Sequence, residues 1–590
     1  MKENELCPCG SKKEFGSCCG PIIAGTKKAE TAEELMRSRY TAYVIHDIDH
    51  IVKTCRAGNE ENGIDLEETR RWSEESTWQG LKILRTEKGS ASDKEGIVEF
   101  CQGLVDLGFE IVSTGGTLKK LTDAGIYAIA IDEVTKFPEM LDGRVKTLHP
   151  MVHGGLLYRR DLESHVNTIK EYGIQPIDLV CVNLYEFEKA LRAGKPLPDM
   201  IENIDIGGPS MIRSAAKNFK DVLIVTNPSD YNSVLEAIKN GGDDYNFRLN
   251  LAYKAFSATA AYDAIISRYF ADVVGDEFPE ILNISLKKVE HLRYGENSQQ
   301  LANKYQDSYI DKSLLDYEQL HGKEISFNNL NDLYGAVALV REFGDVIVTA
   351  AIKHSTPCGV AQGATGYESY MKAYEADPQS IFGGIVAANY KVDKATATEM
   401  NKIFLEIVAA PDFDDDALEV LKKKKNLRIL KLNNLSVKEA KYDIKYLEGK
   451  VLVQNINNKM IDEMKVVTNA IPTNEQISDM EFGMKVVKYV KSNAICIVKN
   501  GVTLAIGGGQ TSRVWALENA IHNNQDKDFS GAVLASDAFF PFNDCVQVAA
   551  NAGISAIIQP GGSIKDQDSI NLCNELNIPM VFSGYRHFRH

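Results

Sequence analysis

Residues 84–100 read LRTEKGSASDKEGIVEF, and the fold of the chain turns on which neighbour owns that stretch. Read backwards, it closes a small module that opens with paired cysteines. Read forwards, it opens a long alternation of strands and helices. Both readings use SDKEGIVEF, residues 92–100, and they cannot both fold it their own way.

The totals narrow the field. A chain of 590 residues has room for about three to five domains. Hydrophobic residues make up 44% and charged residues 25%, the balance of a globular protein with an ordinary core. A formal charge of −16 argues against a nucleic-acid surface, which needs net basic patches. It leaves room for small anionic substrates held by a few local cations. No apolar run reaches the ~18 residues of a membrane span, and MKENELCPCG is no signal peptide. The eleven cysteines are uneven, with four at the start and the rest scattered. That pattern predicts a cytoplasmic chain with reduced thiols rather than a disulfide framework.

Residues 1 to about 80 stand apart. Leu35, Met36, Tyr40, Tyr43 and Val44 recur at helical spacing behind Thr31, a plausible cap. The run EETRRWSEESTWQGLKIL, 67–84, follows and ends like a strand. From about 95 to 275 apolar β-runs precede glycine-bearing or polar turns and helices, as in FEIVSTGGTLKKLTDAG, IDLVCVNLYEF and DVLIVTNPSDY. That rhythm predicts an α/β parallel sheet with helices on both faces. Residues 276–291, DEFPEILNISLKKVEH, look like a hinge. The alternation then resumes in two batches, one to about 460 and one from there to 590. The lysine run KKKKN, 422–426, reads as a solvated turn.

CPCGSKKEFGSCCG places Cys7, Cys9, Cys18 and Cys19 as two pairs on a short loop. Four soft ligands suit one tetrahedral zinc, and a closed set leaves no position for substrate. With MRSRYTAY behind it, the segment resembles a bacterial SEC-C zinc-motif family with a small α+β domain. That resemblance implies a structural zinc and a binding role.

Further along, features suited to phosphate come in order. STGGT, 113–117, offers backbone N–H groups at a helix start. DGRVKTLHP, 142–150, adds Arg144 and Lys146, and IENIDIGGPSMIRSAAKN, 201–218, adds Asp205, a GG turn and Lys217. These motifs, with CVNLYEF, resemble the cyclohydrolase half of the AICAR transformylase/IMP cyclohydrolase family. LRYGEN, SFNNLNDLYGA, KHSTPCGVA, FGGIVAAN, KSNAI, GGGQTSRV, SDAFFPF, QPGGS and RHFRH resemble its transformylase half. The resemblance runs from about 92 to 590.

It implies a methylglyoxal-synthase-like domain, then two cytidine-deaminase-like subdomains. It also implies two reactions: formyl transfer from the co-substrate 10-formyltetrahydrofolate to AICAR, giving FAICAR, then dehydrative closure to IMP. His354 matches the family's base and Lys353 the group that supports the developing oxyanion. Nucleotide contacts are implied at Arg293, Tyr294, Gly383, Asn493, Arg513, Phe539 and Arg586, and folate contacts at Glu406, Val514, Asp544, Ser563 and Ile564. For ring closure, Lys217 matches the proton donor and acceptor, assisted by Tyr185 and Asp205. The nucleotide grip falls on Ser92, Asp93, Lys94, Thr114, Gly115, Gly116, Thr117, Arg144, Val145, Lys146, Thr147, Val182, Asn183, Asp205 and Ile206. No catalytic metal is expected: PCGV, 357–360, lacks the second cysteine of a zinc deaminase, and no H-x-E precedes it. A homodimer is implied, with neither nucleic acid nor membrane as partner.

The chain departs from this family at its start. An apolar strand normally runs straight into the SDK loop, whereas here ILRTEKGSA precedes it. That reads as a seam between two families, with the first strand of the cyclohydrolase replaced and ring closure impaired. Smaller departures are ENSQQ at 296–300, LYEF at 184–187 and Tyr390 in place of an arginine. The expected division is a truncated zinc module at 1–90, a cyclohydrolase domain at 91–275 and a transformylase domain at 285–590. The rival reading is a zinc-knuckle adaptor carrying an inactive enzyme passenger.

Overall fold

The second half of the disputed stretch is a helix, Ile97–Asp106, and its packing partners decide its ownership. Ile97, Phe100, Cys101 and Leu104 recur at three- and four-residue spacing and are buried, the stripe of a helix facing a core. Phe100 stacks on Tyr231, ring centroids 4.3 Å apart. A Cβ on Gly103 would lie 2.7 Å from a methyl of Leu235, so glycine permits that close approach. Tyr231 and Leu235 belong to the helix Tyr231–Asn240, more than a hundred residues downstream. The forward reading therefore owns residues 96–106.

The structure, a computed structural model, describes residues 2, 4–29, 32–54, 70–71, 73–74, 96–138, 140–141, 144–436 and 440–590. The strand-like end LKIL, 81–84, the cap Thr31 and the site residues Ser92, Asp93 and Lys94 lie outside the described residues. The described residues form two compact units, Met1–Tyr185 with Asp205–Thr259, and Glu186–Ile204 with Ala260–His590. Among the described residues no helix is long and apolar enough to cross a membrane.

In the first unit the expected amino-terminal helix is Ala32–Ile45. Met36, expected on its inner face, is 55% exposed, whereas Ser38, Thr41 and Ala42 are buried. Small polar side chains occupy that face because they have partners there: Thr41 Oγ1 lies 3.5 Å from Cys7 Sγ, and Ser38 Oγ lies 3.1 Å from His50 Nε2. The parallel sheet is present only in part. Val112–Ser113 pairs in parallel with Ile129–Ala130, and Leu179–Cys181 with Leu223–Val225. Among the described residues no ladder joins the two pairs. The helix Gly207–Lys217 buries Ile212, Ala215 and Ala216 in the core that also takes in Val222–Val225.

The second unit centres on one twelve-stranded sheet. Its two batches repeat one order of elements. A helix (Phe327–Arg341), a hairpin (Val348–Lys353 and Thr356–Gln362), and then three helix–strand pairs ending at Arg428–Leu432 make the first half. A helix (Asn474–Val487), a hairpin (Ile495–Lys499 and Val502–Gly507), and three more pairs ending at Met580–Phe582 make the second. The halves join edge to edge where Val502 pairs with Ala361. The segment expected as a hinge carries structure of its own, because Leu286–Leu292 pairs antiparallel with Ala302–Asp307. In the run 422–426 the side chains of Lys422, Lys423 and Lys425 are exposed, as a solvated turn requires.

Candidate functional site

The Lys353–His354 pair ends one strand and turns into the next. Lys353 pairs with Thr356 across the hairpin, leaving His354 and Ser355 as a two-residue loop. Both have positive φ, 53° and 58°, which a tight hairpin of this twist demands and which Asn-Gly normally supplies. For residues with a Cβ the left-handed region costs roughly 1–2 kcal/mol each. The compensation is visible. The His354 N–H donates to Asp332 Oδ2 at 3.2 Å, and the Ser355 N–H and Oγ–H donate to Asp332 Oδ1 at 2.7 and 2.9 Å. Asn331 Nδ2 donates to Ser355 Oγ at 2.8 Å. His354 itself is exposed, open to a substrate.

Sheet register gathers further residues beside this turn. Ile352, Ile385 and Ile407 align across three neighbouring strands, so Lys353, Gly384 and Glu406 sit side by side at one edge. Lys353 Nζ donates to the Phe382 carbonyl at 2.9 Å, and the Gly383 N–H to the Phe404 carbonyl at 2.7 Å. Gly383 has a φ of 73°. Glu406 pairs with Arg428 at 2.6 Å. Arg293 donates to the Tyr294 hydroxyl at 2.8 Å. Their loop is tied to the Asp332 helix through the Glu296 carbonyl and Asn328 Nδ2, 3.1 Å apart.

The second half brings its residues to the same edge, because Ile495 pairs with both Gly507 and Ser536. Arg513 is buried and held by Asp537, by Ser536 Oγ at 3.0 Å and by Asn493 Oδ1 at 2.9 Å. Phe539 follows the strand Val533–Ser536, and Asp544 opens a helix. Val514 is half-buried beside Arg513. The Ser563 N–H donates to Asp566 Oδ2 at 3.0 Å, while Ile564 is fully exposed. Arg586 lies over the Phe588 ring. Asp332 and Asp537, which hold His354 and Arg513, were not singled out by sequence reasoning. An acid amid the asparagines of SFNNLNDLYGA, 326–336, just ahead of the apolar run 335–340, was the available signal for the first.

In the first unit two helix starts meet around one cation. Thr114 precedes the helix Gly115–Asp123, which also holds Gly116 and Thr117. Gly115 has a φ of 49°, and its missing Cβ would lie 3.6 Å from Lys146 Nζ. The next residue, Thr147, stands against the start of the second helix, its Oγ1 2.7 Å from where a Cβ of Gly207 would lie. Asp205 caps that helix by accepting from the Gly208 N–H at 2.8 Å, with Ile206 between them. Arg144 and Val145 lead into the same segment, where Val145 bridges to Met140. Two N-terminal dipoles with a lysine between them make a setting for an anion. Val182 and Asn183 continue the strand Leu179–Cys181, and Asn183 Oδ1 accepts from the Tyr231 hydroxyl at 3.2 Å. Tyr185 is half exposed.

Lys217 is not gathered with them. It ends the eleven-residue helix that Gly207 begins, about 15 Å away at 1.5 Å per residue. There it lines a cavity of about 610 Å³ with Arg213, Ser214, Tyr253 and Phe256. Ser214 Oγ lies 3.0 Å from His153 Nδ1, and burial holds the His153 pKa down.

At the amino terminus the Sγ atoms of Cys7, Cys9, Cys18 and Cys19 lie within 4.8 Å of one another. Cys9 and Cys18 are 3.5 Å apart, Cys18 and Cys19 3.8 Å. A tetrahedron with Zn–S near 2.3 Å has sulfurs about 3.8 Å apart, so the set fits one zinc. Burial works to raise the Cys9 thiol, but bonds with Ser11, Cys7 and Cys18 bring it to about 7, near the thiolate a metal needs. Arg37 donates to the Cys9 carbonyl at 2.6 Å and ties the cluster to the helix Ala32–Ile45.

Comparison with known proteins adds four family matches. Residues 215–523 match the AICARFT/IMPCHase bienzyme family, and residues 96–210 match the MGS-like domain. Residues 4–21 match the SEC-C motif, and residues 31–108 match the YchJ middle NTF2-like domain. The MGS-like and YchJ matches overlap at 96–108, which begins within the disputed stretch. The bifunctional purine biosynthesis protein PurH of Clostridioides difficile (strain 630) is 57% identical over 503 residues, covering 85% of this chain and 99% of that protein. The namesake proteins of Clostridium beijerinckii and Acetivibrio thermocellus are 53% and 52% identical with the same coverage. A solved structure described as "Crystal structure of ForH" is 41% identical over 30% of this chain and 93% of its own, with a TM-score of 0.28.

Proposed function

Because the chain belongs to the AICARFT/IMPCHase bienzyme family, we propose that formyl transfer occurs at the Lys353–His354 edge of the second unit and that the first unit carries ring closure. The chain is a bifunctional enzyme of purine biosynthesis, with AICAR formyltransferase and IMP cyclohydrolase activities. The adaptor alternative falls with that membership.

The observation that carries the formyltransferase reading is the hairpin turn itself. It holds a base and a cation on adjacent residues at a sheet edge, with His354 exposed. The 5-amino group of AICAR is a poor nucleophile, since its lone pair is delocalised into ring and carboxamide. As it attacks the formyl carbon of 10-formyltetrahydrofolate, His354 takes the amine proton. Lys353 supports the charge gathering on the formyl oxygen. The new N–C bond forms, the bond from carbon to folate N10 breaks, and that nitrogen leaves protonated as tetrahydrofolate. Gly383, Asn493, Arg513, Phe539 and Arg586 with Arg293 and Tyr294 hold the ribotide. Glu406, Val514, Asp544, Ser563 and Ile564 take the folate.

For ring closure, Thr114–Thr117, Arg144–Thr147, Val182, Asn183, Asp205 and Ile206 grip the nucleotide, and the two helix starts around Lys146 suit its phosphate. Lys217 moves the proton, with Tyr185 and Asp205 assisting. The Lys217 assignment rests on its motif, not on nearness to Asp205. Lys353→Met or His354→Ala should abolish tetrahydrofolate release while ring closure of added FAICAR persists. Loss of both reactions together would overturn the division of labour.

Around this core we assign a zinc module to residues 1–90, a cyclohydrolase domain to 91–275 and a transformylase domain to 285–590. The four cysteines would hold a structural zinc, cross-linking a loop with little core of its own. The duplicated order of the second unit supports two cytidine-deaminase-like subdomains. Family membership supports a homodimer in the cytoplasm, and the exposed Trp515, Phe542 and Ile564 suit such an interface.

A further inference from the structure

The second unit contains the Asp332 arrangement twice. Asp479 lies five residues after the start of the helix Asn474–Val487, as Asp332 lies five after the start of Phe327–Arg341. Asp479 accepts from the Asn500 N–H at 2.8 Å and the Gly501 N–H at 2.7 Å. These two residues form the turn of the second half's hairpin, again with φ positive at both, 54° and 69°. A helix carboxylate thus caps a two-residue hairpin turn in each half.

The copies differ in what the turn contains. Asn500–Gly501 is a pair that favours this conformation unaided. His354–Ser355 is not, because both residues carry a Cβ that the left-handed region disfavours. The turns also face opposite ways. Asn500–Gly501 lies beside Gln362, which donates its N–H to the Gly501 carbonyl at 2.9 Å, at the far end of the strand that His354 and Ser355 lead into. Only the first copy touches the proposed site, and only there does the turn sequence resist its own geometry.

We infer that Asp332 is the positioning residue of formyl transfer: it holds the His354–Ser355 turn in its left-handed form, so that the imidazole is aimed before substrate arrives. The idea rests on His354 as the base. Misplacing a catalytic group by about 1 Å can cost ~100-fold in rate, without loosening ribotide contacts made elsewhere.

The duplicate supplies the control. Asp332→Asn and Asp479→Asn make the same chemical change in two copies of one device, each setting an amide N–H against a backbone N–H. Asp332→Asn should lower kcat for tetrahydrofolate release by roughly 10- to 100-fold, with ribotide Kd by calorimetry and ring closure of added FAICAR near wild type. Asp479→Asn should leave kcat near wild type. Ser355→Gly, which lets the turn form unaided, should restore most of the lost kcat to Asp332→Asn. A wild-type rate in Asp332→Asn, equal losses in the two aspartate variants, or no recovery with Ser355→Gly would each overturn the inference. His354→Ala is measured alongside. If that variant keeps its rate, the base assignment itself fails, which is distinct from failure of the Asp332 role.

Discussion

Phe100 stacks on Tyr231 with ring planes 12° from parallel, and this contact commits the disputed stretch to the enzyme. Phe100 is fully buried, so Phe100→Ala should cost the first unit about 3–5 kcal/mol. Calorimetry should show an earlier transition for that unit and loss of ring closure on mild heating, with formyl transfer persisting. An unchanged melting profile would return residues 96–106 to the amino-terminal module.

Gly208 leaves no room for a side chain, since a Cβ there would come within 2.4 Å of Asp205 Oδ2. Gly208→Ala should displace the cap, at a cost of about 1 kcal/mol, and disturb the helix start beside Lys146 and Thr147. Steady-state assays should show ring closure falling by about tenfold or more, as lost positioning implies, with tetrahydrofolate release unaffected. Equal loss of both reactions would contradict a nucleotide grip at that end.

Much of this was legible in the sequence. The two batches after residue 292 became two halves with the same order of elements, because hydrophobic runs separated by glycine turns report strands locally. The anion-suited Gly115 and Lys146 met as their motifs suggested. What the sequence hid depends on distant packing. Nothing near Phe100 names Tyr231 as its partner, nothing in KHST names Asp332, and helix length alone keeps Lys217 from Asp205. Met36 misled because spacing reports a face, whereas the hydrogen bonds of Ser38 and Thr41 chose which face turned inward.

Glu342 joins the two halves of the second unit. Its Oε1 accepts from Lys488 Nζ and from the Tyr489 hydroxyl, both at 2.7 Å. Burial works to raise its pKa, yet the bonds from Lys488 and Tyr489 hold it below the ordinary glutamate value of 4.5. A depressed carboxylate lends stability above that ordinary value and loses it as pH falls through the folded one. Glu342→Ala, which strands a buried lysine, should cost about 3–5 kcal/mol at neutral pH. In urea titrations the gap from wild type should narrow below about pH 4. A gap constant down to pH 3 would contradict the pair.

The cysteine cluster should bind one zinc per chain by metal analysis. Cys9→Ser with Cys19→Ser should abolish it and leave both reactions near wild type, because a closed four-thiolate site has no position for substrate. Loss of either activity with the metal would give the module a role in the enzyme.

One chain performs both steps behind its amino-terminal module. The most direct measurement supplies purified protein with AICAR and 10-formyltetrahydrofolate, following tetrahydrofolate release and IMP formation by separate absorbance signals. Both should appear, with IMP trailing FAICAR. Accumulation of FAICAR with no IMP, and no closure of FAICAR added directly, would contradict it and mark the seam at residues 84–95 as damage to the cyclohydrolase.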